Sequence, residues 1–146
     1  FFAECGKVTI RVNKEVPGHV ANRLQAALWR EAIHLVCEGV ASLEDVDKAV
    51  VSGPGLRWSV MGPHMLFNLG SGGHGIGTFC ERYRDSFHGW WDSLGSPLLT
   101  DEVGENLAAG VRAAEHGRDF ADLAGERDAK LIAALQAFAA IERDSK

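Results

Sequence analysis

The sequence of 146 residues lacks the features of membrane proteins and of nucleic-acid-binding proteins. No stretch approaches the roughly 18 uninterrupted apolar residues that a transmembrane helix requires. Basic residues number 15 against 20 acidic ones, and the formal net charge is -5. A nucleic-acid partner usually requires a basic face, so the composition favours a soluble globular domain that binds neither nucleic acid nor membrane.

Cysteines are few and odd in number, because only Cys5, Cys37 and Cys80 occur. They share no metal-like spacing, and the six histidines show no zinc motif, so we expect no metal site. An odd cysteine count favours a reducing, cytoplasmic location over secretion. The sequence also lacks an initiator methionine and a signal peptide, and it opens on FFAECGKVTI. We therefore expect a piece of a longer protein.

Signals for β-strands are almost absent. Only KVTIRV, residues 7–12, alternates apolar and polar residues as a half-buried strand does. One strand cannot form a sheet, so its partners are expected outside this segment.

Helical periodicity dominates after Pro17 and Gly18, and it predicts an all-α fold with about five main helices. The first runs from Val20 to Glu38, with Gly39 as the expected C-terminal cap. Ser42 is the expected N-cap of the second, which should end at the Ser52–Gly55 turn. The remaining segments are a short helix at 63–69 and long helices at about 76–91, 100–115 and 120–141.

GSGGHG, residues 70–75, matches the dinucleotide-binding fingerprint G-x-G-x-x-G, and Asp92 follows at a suitable distance. That motif requires a strand before the loop and a helix after it. The preceding HMLFNL has no β-branched residue and follows Gly62-Pro63, which predicts a short helix. We therefore interpret GSGGHG as a connection between two helices, with no cofactor-binding residue in it.

Three residues are candidates for a functional site. Asn22 lies in the first turns of the first helix, where an asparagine needs a hydrogen-bond partner, although the simpler interpretation is a surface or locally capped residue. GPGLRW predicts a rigid turn that holds the Arg57 guanidinium beside the Trp58 indole. Such a pair suits a carboxylate ligand, and the alternative is an arginine stacked on tryptophan at a subunit surface. Phe87, Trp90 and Trp91 favour a core or an interface.

The stretch PGHVANRLQAALWREAIHLVCEGVASLEDVDKAVVSGPGLRWSVMGP resembles the C-terminal domain of the 3-hydroxyacyl-CoA dehydrogenase family. The resemblance rests on P-G-x-x-x-N-R-L, G-x-A-S-x-E-D-x-D and M-G-P, and it is specific over residues 4–95. GPGLRWSVMGP with FNLGSGGHGIGTF is most similar to the small-acid branch, which includes lambda-crystallin (L-gulonate 3-dehydrogenase) and L-carnitine dehydrogenase.

The resemblance implies a helical fold like the C-terminal domain of 6-phosphogluconate dehydrogenase. Residues 1–16 would end a missing NAD-binding Rossmann domain, and 17–146 would form the substrate and dimerisation domain of a homodimer. The activity implied is oxidation of a 3-hydroxy group to a ketone by NAD, which the missing domain would bind. Asn22 would be a catalytic residue and Arg57 and Trp58 substrate contacts, whereas the isolated segment would be inactive. The alternative is a non-catalytic helical dimerisation or interaction module.

Overall fold

The computed structural model describes residues 8–144, which are mostly helical after residue 20. Within that range the elements are α1 (Ala21–Cys37), α2 (Leu43–Val50), a π-helical segment (Val51–Gly55), α3 (Leu56–Val60), α4 (Pro63–Leu69), α5 (Gly75–Ser93), α6 (Asp101–Glu115) and α7 (Phe120–Asp144). The five long helices confirm the periodicity argument and the all-α class. No helix in the described range is both long and apolar enough to cross a membrane.

The strand predicted at residues 7–12 is not formed over its described part, residues 8–12. Val8 is 97% exposed and Ile10 is 64% exposed, so the apolar face of this segment is open to solvent. A strand is stabilised by hydrogen bonds to a neighbouring strand, and the described residues offer none. The sequence pattern identified a segment suited to a sheet, but the sheet itself is not among these residues.

Two helix ends have the cap residues that the sequence indicates. Gly39 adopts a φ of +67° directly after α1, a left-handed conformation that glycine adopts without a steric penalty. At the start of α2, the Ser42 hydroxyl oxygen accepts a hydrogen bond of 3.1 Å from the backbone N–H of Asp45. Both ends are therefore fixed by local interactions that need no tertiary contact.

The structure confirms that the second helix ends near residues 52–55, because α2 ends at Val50 and the helical geometry is broken at Gly53 before α3 begins at Leu56. Gly53 has φ of -100° and ψ of -110°, and Pro54 follows it. Proline has no N–H for the helical ladder, and the chain kinks here between the two helices. Residues 56–60 are consequently helical rather than part of a loop.

The small core lies where α1, α2 and α6 meet. Ile33 on α1 is 3% exposed and Val46 on α2 is 6% exposed. Gly110 permits the close approach of α6, since a Cβ at this position would lie 3.0 Å from the Cβ of Leu43. A second contact joins α4 to α5.

Much apolar surface remains outside this core. The chain exposes 11865 Å², whereas a compact monomer of 15.8 kDa is expected to expose roughly 7,300 Å². Large exposed side chains include Trp90 and Trp91 on α5 and Leu131, Ile132 and Leu135 on α7. Isolated exposed apolar side chains are common, but an excess of this size indicates surfaces that contact another chain or domain.

Candidate functional site

Asn22 lies on α1 as predicted, and its side chain is exposed. It contributes to a cleft of about 580 Å³ whose other walls are Pro17, Gly18, Arg23, Ala26, Ala27 and Arg30. The backbone turns sharply before α1, with φ of +77° at Gly18 and +49° at His19. The α1 N-cap position, Val20, makes no side-chain cap hydrogen bond. Asn22 is therefore presented in an open cleft at the start of a helix.

Neither arginine of this cleft pairs with Glu31, although both lie close to it along α1. Arg23 donates to the backbone oxygen of Pro17 at 3.4 Å. Glu31 Oε2 instead accepts a hydrogen bond of 2.8 Å from the backbone N–H of Gly95. This bond joins α1 to the segment after α5, and no spacing in the sequence could have indicated a contact across 64 residues.

Arg57 and Trp58 lie on α3 and are both exposed. The rigid turn predicted for these residues is instead a short helix. Among residues 8–144, the Arg57 guanidinium has no hydrogen-bond or ion-pair partner. The guanidinium is therefore free to bind an anion, and Trp58 is 40% exposed.

The structure does not bring all three candidates into one described cleft. The cleft around Asn22 is lined entirely by residues 17–30, which do not include Arg57 or Trp58. A separate groove of about 380 Å³ runs from Gln25 and Trp29 of α1 to Val50 and Val51, and it includes none of the three candidates.

The GSGGHG stretch connects α4 to α5, which confirms its interpretation as a link between helices. Gly72, Gly73 and Gly75 have φ of +69°, +90° and +86°, so the turn requires glycine. Ser71 is buried, and its Oγ accepts a hydrogen bond of 2.8 Å from the N–H of Gly75. Since a helix rather than a strand precedes the loop, these residues do not fit a dinucleotide. In residues 8–144 no cluster of His, Cys, Asp or Glu is arranged for a metal.

Sequence reasoning missed a cavity lined by aromatic rings between α4 and α5. It has a volume of about 350 Å³, and Phe67, Phe79, Phe87 and Trp91 supply its rings. The signal was present in the sequence, because Phe79, Tyr83, Phe87 and Trp91 recur at every fourth position of one helix. Such residues share one helix face.

Comparison with known proteins gives a consistent family assignment. A family model described as 3-hydroxyacyl-CoA dehydrogenase, C-terminal domain, matches residues 18–116. The chain is 41% identical over 148 residues to an L-carnitine dehydrogenase of Streptomyces coelicolor, in an alignment that covers 100% of this chain and 46% of the relative. It is 40% identical over 146 residues to the L-carnitine dehydrogenase of Streptomyces griseus, covering 100% and 44%. That of Oceanobacillus iheyensis is 41% identical over 121 residues, covering 83% and 39%.

The chain thus belongs to the family of 3-hydroxyacyl-CoA dehydrogenase C-terminal domains, as its sequence motifs implied. It spans less than half the length of these relatives. The family match ends at residue 116, so α7 lies beyond it, although the Streptomyces relatives align across the whole chain.

Proposed function

We propose that this chain is the C-terminal domain of an NAD-dependent dehydrogenase that oxidises the 3-hydroxy group of a small hydroxyacid. The observation that carries the proposal is the identity of about 40% to L-carnitine dehydrogenases over the full chain. In such an oxidation the C3 hydride passes to NAD and a base takes the hydroxyl proton, leaving a ketone. The base and the dinucleotide site would lie in a preceding domain, and residues 1–16 would be the end of that domain.

Asn22 is the residue we assign to the reacting end of the substrate. An exposed amide in an open cleft can donate to and accept from a hydroxyl group or an imidazole. Its proposed role is to orient the substrate hydroxyl or the base by hydrogen bonding. Asn22→Ala should therefore lower kcat more than it raises KM, and it should leave the melting temperature unchanged because the side chain is exposed.

Arg57 is the residue we assign to the substrate carboxylate, with Trp58 as a further substrate contact. The support is its free guanidinium on α3, since a small acid needs a positive partner where a thioester does not. A hydrogen bond to a charged group contributes about 1.5–3 kcal/mol, so Arg57→Met should lower kcat/KM for a small 3-hydroxyacid by roughly 10- to 150-fold. A 3-hydroxyacyl-CoA ester should lose far less.

The test measures kcat/KM of the intact Arg57→Met enzyme with a small 3-hydroxyacid and with a 3-hydroxyacyl-CoA ester. Arg112→Met serves as the matched control. Arg112 is exposed on α6 and, like Arg57, has no ion-pair partner among the described residues. Equal losses for both substrates with a lowered melting temperature would identify Arg57 as a structural residue. Absence of turnover with every hydroxyacid, with assembly retained, would instead favour a non-catalytic interaction module.

The proposed assembly is a homodimer. The support is that the chain exposes far more surface than a compact monomer of its size is expected to expose. The excess is several times the roughly 800 Å² that each partner buries in a standard interface. Coverage by a second copy and by the preceding domain together would account for this excess. Sedimentation at tens of micromolar should give a dimer, and a monomer would contradict the proposal.

A further inference from the structure

The second half of helix α7 is apolar on every side. Residues 131–141 read LIAALQAFAAI, in which Gln136 is the only polar residue. Residues 131–137 are all exposed, and the side chains of Leu131 and Leu135 are each more than half exposed. A helix that is apolar all round is normally buried. This stretch is therefore a surface that another molecule or domain covers.

A membrane does not suit the stretch. Its eleven residues span about 16 Å as a helix, roughly half of the apolar thickness of a bilayer. They include no lysine or arginine, which a helix lying on a membrane surface uses to bind lipid headgroups. The stretch therefore suits contact with protein, and it lies beyond residue 116, where the family match ends.

The first turns of the same helix border a groove. This groove has a volume of about 520 Å³ and lies between α2, α6 and α7. Helix α7 contributes Leu123 and Lys130 to its wall, and Leu43 of α2 and Val111 of α6 add apolar surface. Residues 131–144 do not line it. One helix thus carries the wall of a groove in its first half and an apolar surface in its second half.

We propose that residues 131–144 form an arm that packs antiparallel against α7 of a second copy and places its last turn in that copy's groove. Leu131, Leu135 and Phe138 have the i, i+4, i+7 spacing of one helix face, which suits a seam between two helices. When two such seams pair about a two-fold axis near the middle one of these residues, 140–144 of each helix lies opposite about 126–130 of the other. The groove wall lies there. The inference rests on the homodimer proposed above and deepens it by naming its interface.

The dimensions and the character of α7 fit a permanent homodimer. A helix of 25 residues is about 37 Å long and about 10 Å wide, so its sides present roughly 1,200 Å². Covering about two thirds of this surface would bury roughly the 800 Å² per partner of a standard interface. Interfaces between domains of one chain are more polar than those of permanent homodimers. An arm with no charge over residues 131–141 therefore favours a second copy over the preceding domain.

The first experiment introduces a charge at Leu135 in the full-length protein and measures assembly by sedimentation. Leu135→Asp and Leu135→Lys should each raise the dimer dissociation constant by at least about 100-fold, because like charges replace packed leucines near the axis. Both variants should fold, since Leu135 is exposed in a single copy. Mixing them should restore a dimer, because opposite charges then meet. Val40→Asp, at an exposed valine between α1 and α2, is the matched control and should leave assembly unchanged.

The outcomes separate this inference from the homodimer proposal. A dimer that survives both substitutions would overturn the arm and leave a homodimer with another interface. Two monomeric variants that stay apart when mixed would also overturn the arm, because α7 would then not meet its own copy. A native protein that is monomeric would overturn both proposals.

The second experiment needs no variant. It compares amide hydrogen exchange of residues 131–141 in the native full-length protein above and below the dimer dissociation constant. Exchange should be slow in the dimer and at least about 10-fold faster after dilution. Slow exchange at both concentrations would mean that the preceding domain covers the arm, and fast exchange at both would mean that nothing does. Either result would overturn the inference.

Discussion

Gly95→Ala tests the contact between α1 and the segment after α5. Gly95 is buried, and a Cβ added there would overlap the Cβ and Cγ atoms of His34. The His34 Cβ is fixed by the α1 backbone, so a rotamer change cannot relieve the overlap. The segment must move, and its movement breaks the 2.8 Å hydrogen bond from the Gly95 N–H to Glu31.

The expected cost combines overpacking with the loss of a hydrogen bond to a carboxylate, about 2–5 kcal/mol in total. For a chain of this size, each kcal/mol lowers the melting temperature by roughly 3 °C, which gives a fall of roughly 6–15 °C. Thermal unfolding followed by far-ultraviolet circular dichroism measures this directly.

Gly104→Ala is the matched control for that experiment. Gly104 lies within α6, and apart from the adjacent backbone of that helix and its two chain neighbours no atom lies within 4 Å of a Cβ placed there. Alanine should stabilise the helix at this position by about 0.5–1 kcal/mol. His34→Ala combined with Gly95→Ala should recover part of the loss, because it removes the overlapping ring. If Gly95→Ala melts like Gly104→Ala, the close contact of Gly95 with His34 is refuted.

Two further predictions concern the start of α2. Ser42→Ala removes the acceptor for the Asp45 N–H and should cost about 1 kcal/mol, seen as a lower urea midpoint with an unchanged slope. Folding lowers the pKa of Glu44, first through its hydrogen bond with Lys48 and then through that with His116. A lowered carboxyl pKa stabilises the fold above the ordinary value of 4.5, and this contribution is lost as pH falls through the lowered pKa. Glu44→Gln should therefore lose less stability than the native protein between about pH 6 and pH 3, and equal losses would contradict the ion pair.

The helices could be predicted because their signals are local. Apolar residues at helical spacing, the Gly39 cap and the Ser42 cap each act within a few residues, so the sequence alone places them. The short helix α3 after Gly53 and Pro54 could not be predicted. Whether a chain resumes helical geometry directly after a Gly-Pro-Gly break depends on the packing of the helices on either side. This matters for the candidate site, because helix α3 places Arg57 and Trp58 on a helix rather than in a turn.

The sequence by itself determined the all-α class, the family motifs and the position of GSGGHG between two helices, because each depends on short-range order along the chain. It also placed Asn22 in the first turns of α1. Only the tertiary structure decided that Glu31 binds Gly95 and that Phe67 joins the aromatic residues of α5 around a cavity. These contacts join residues of different helices. Their geometry depends on how the helices pack, which no periodicity within a single helix specifies.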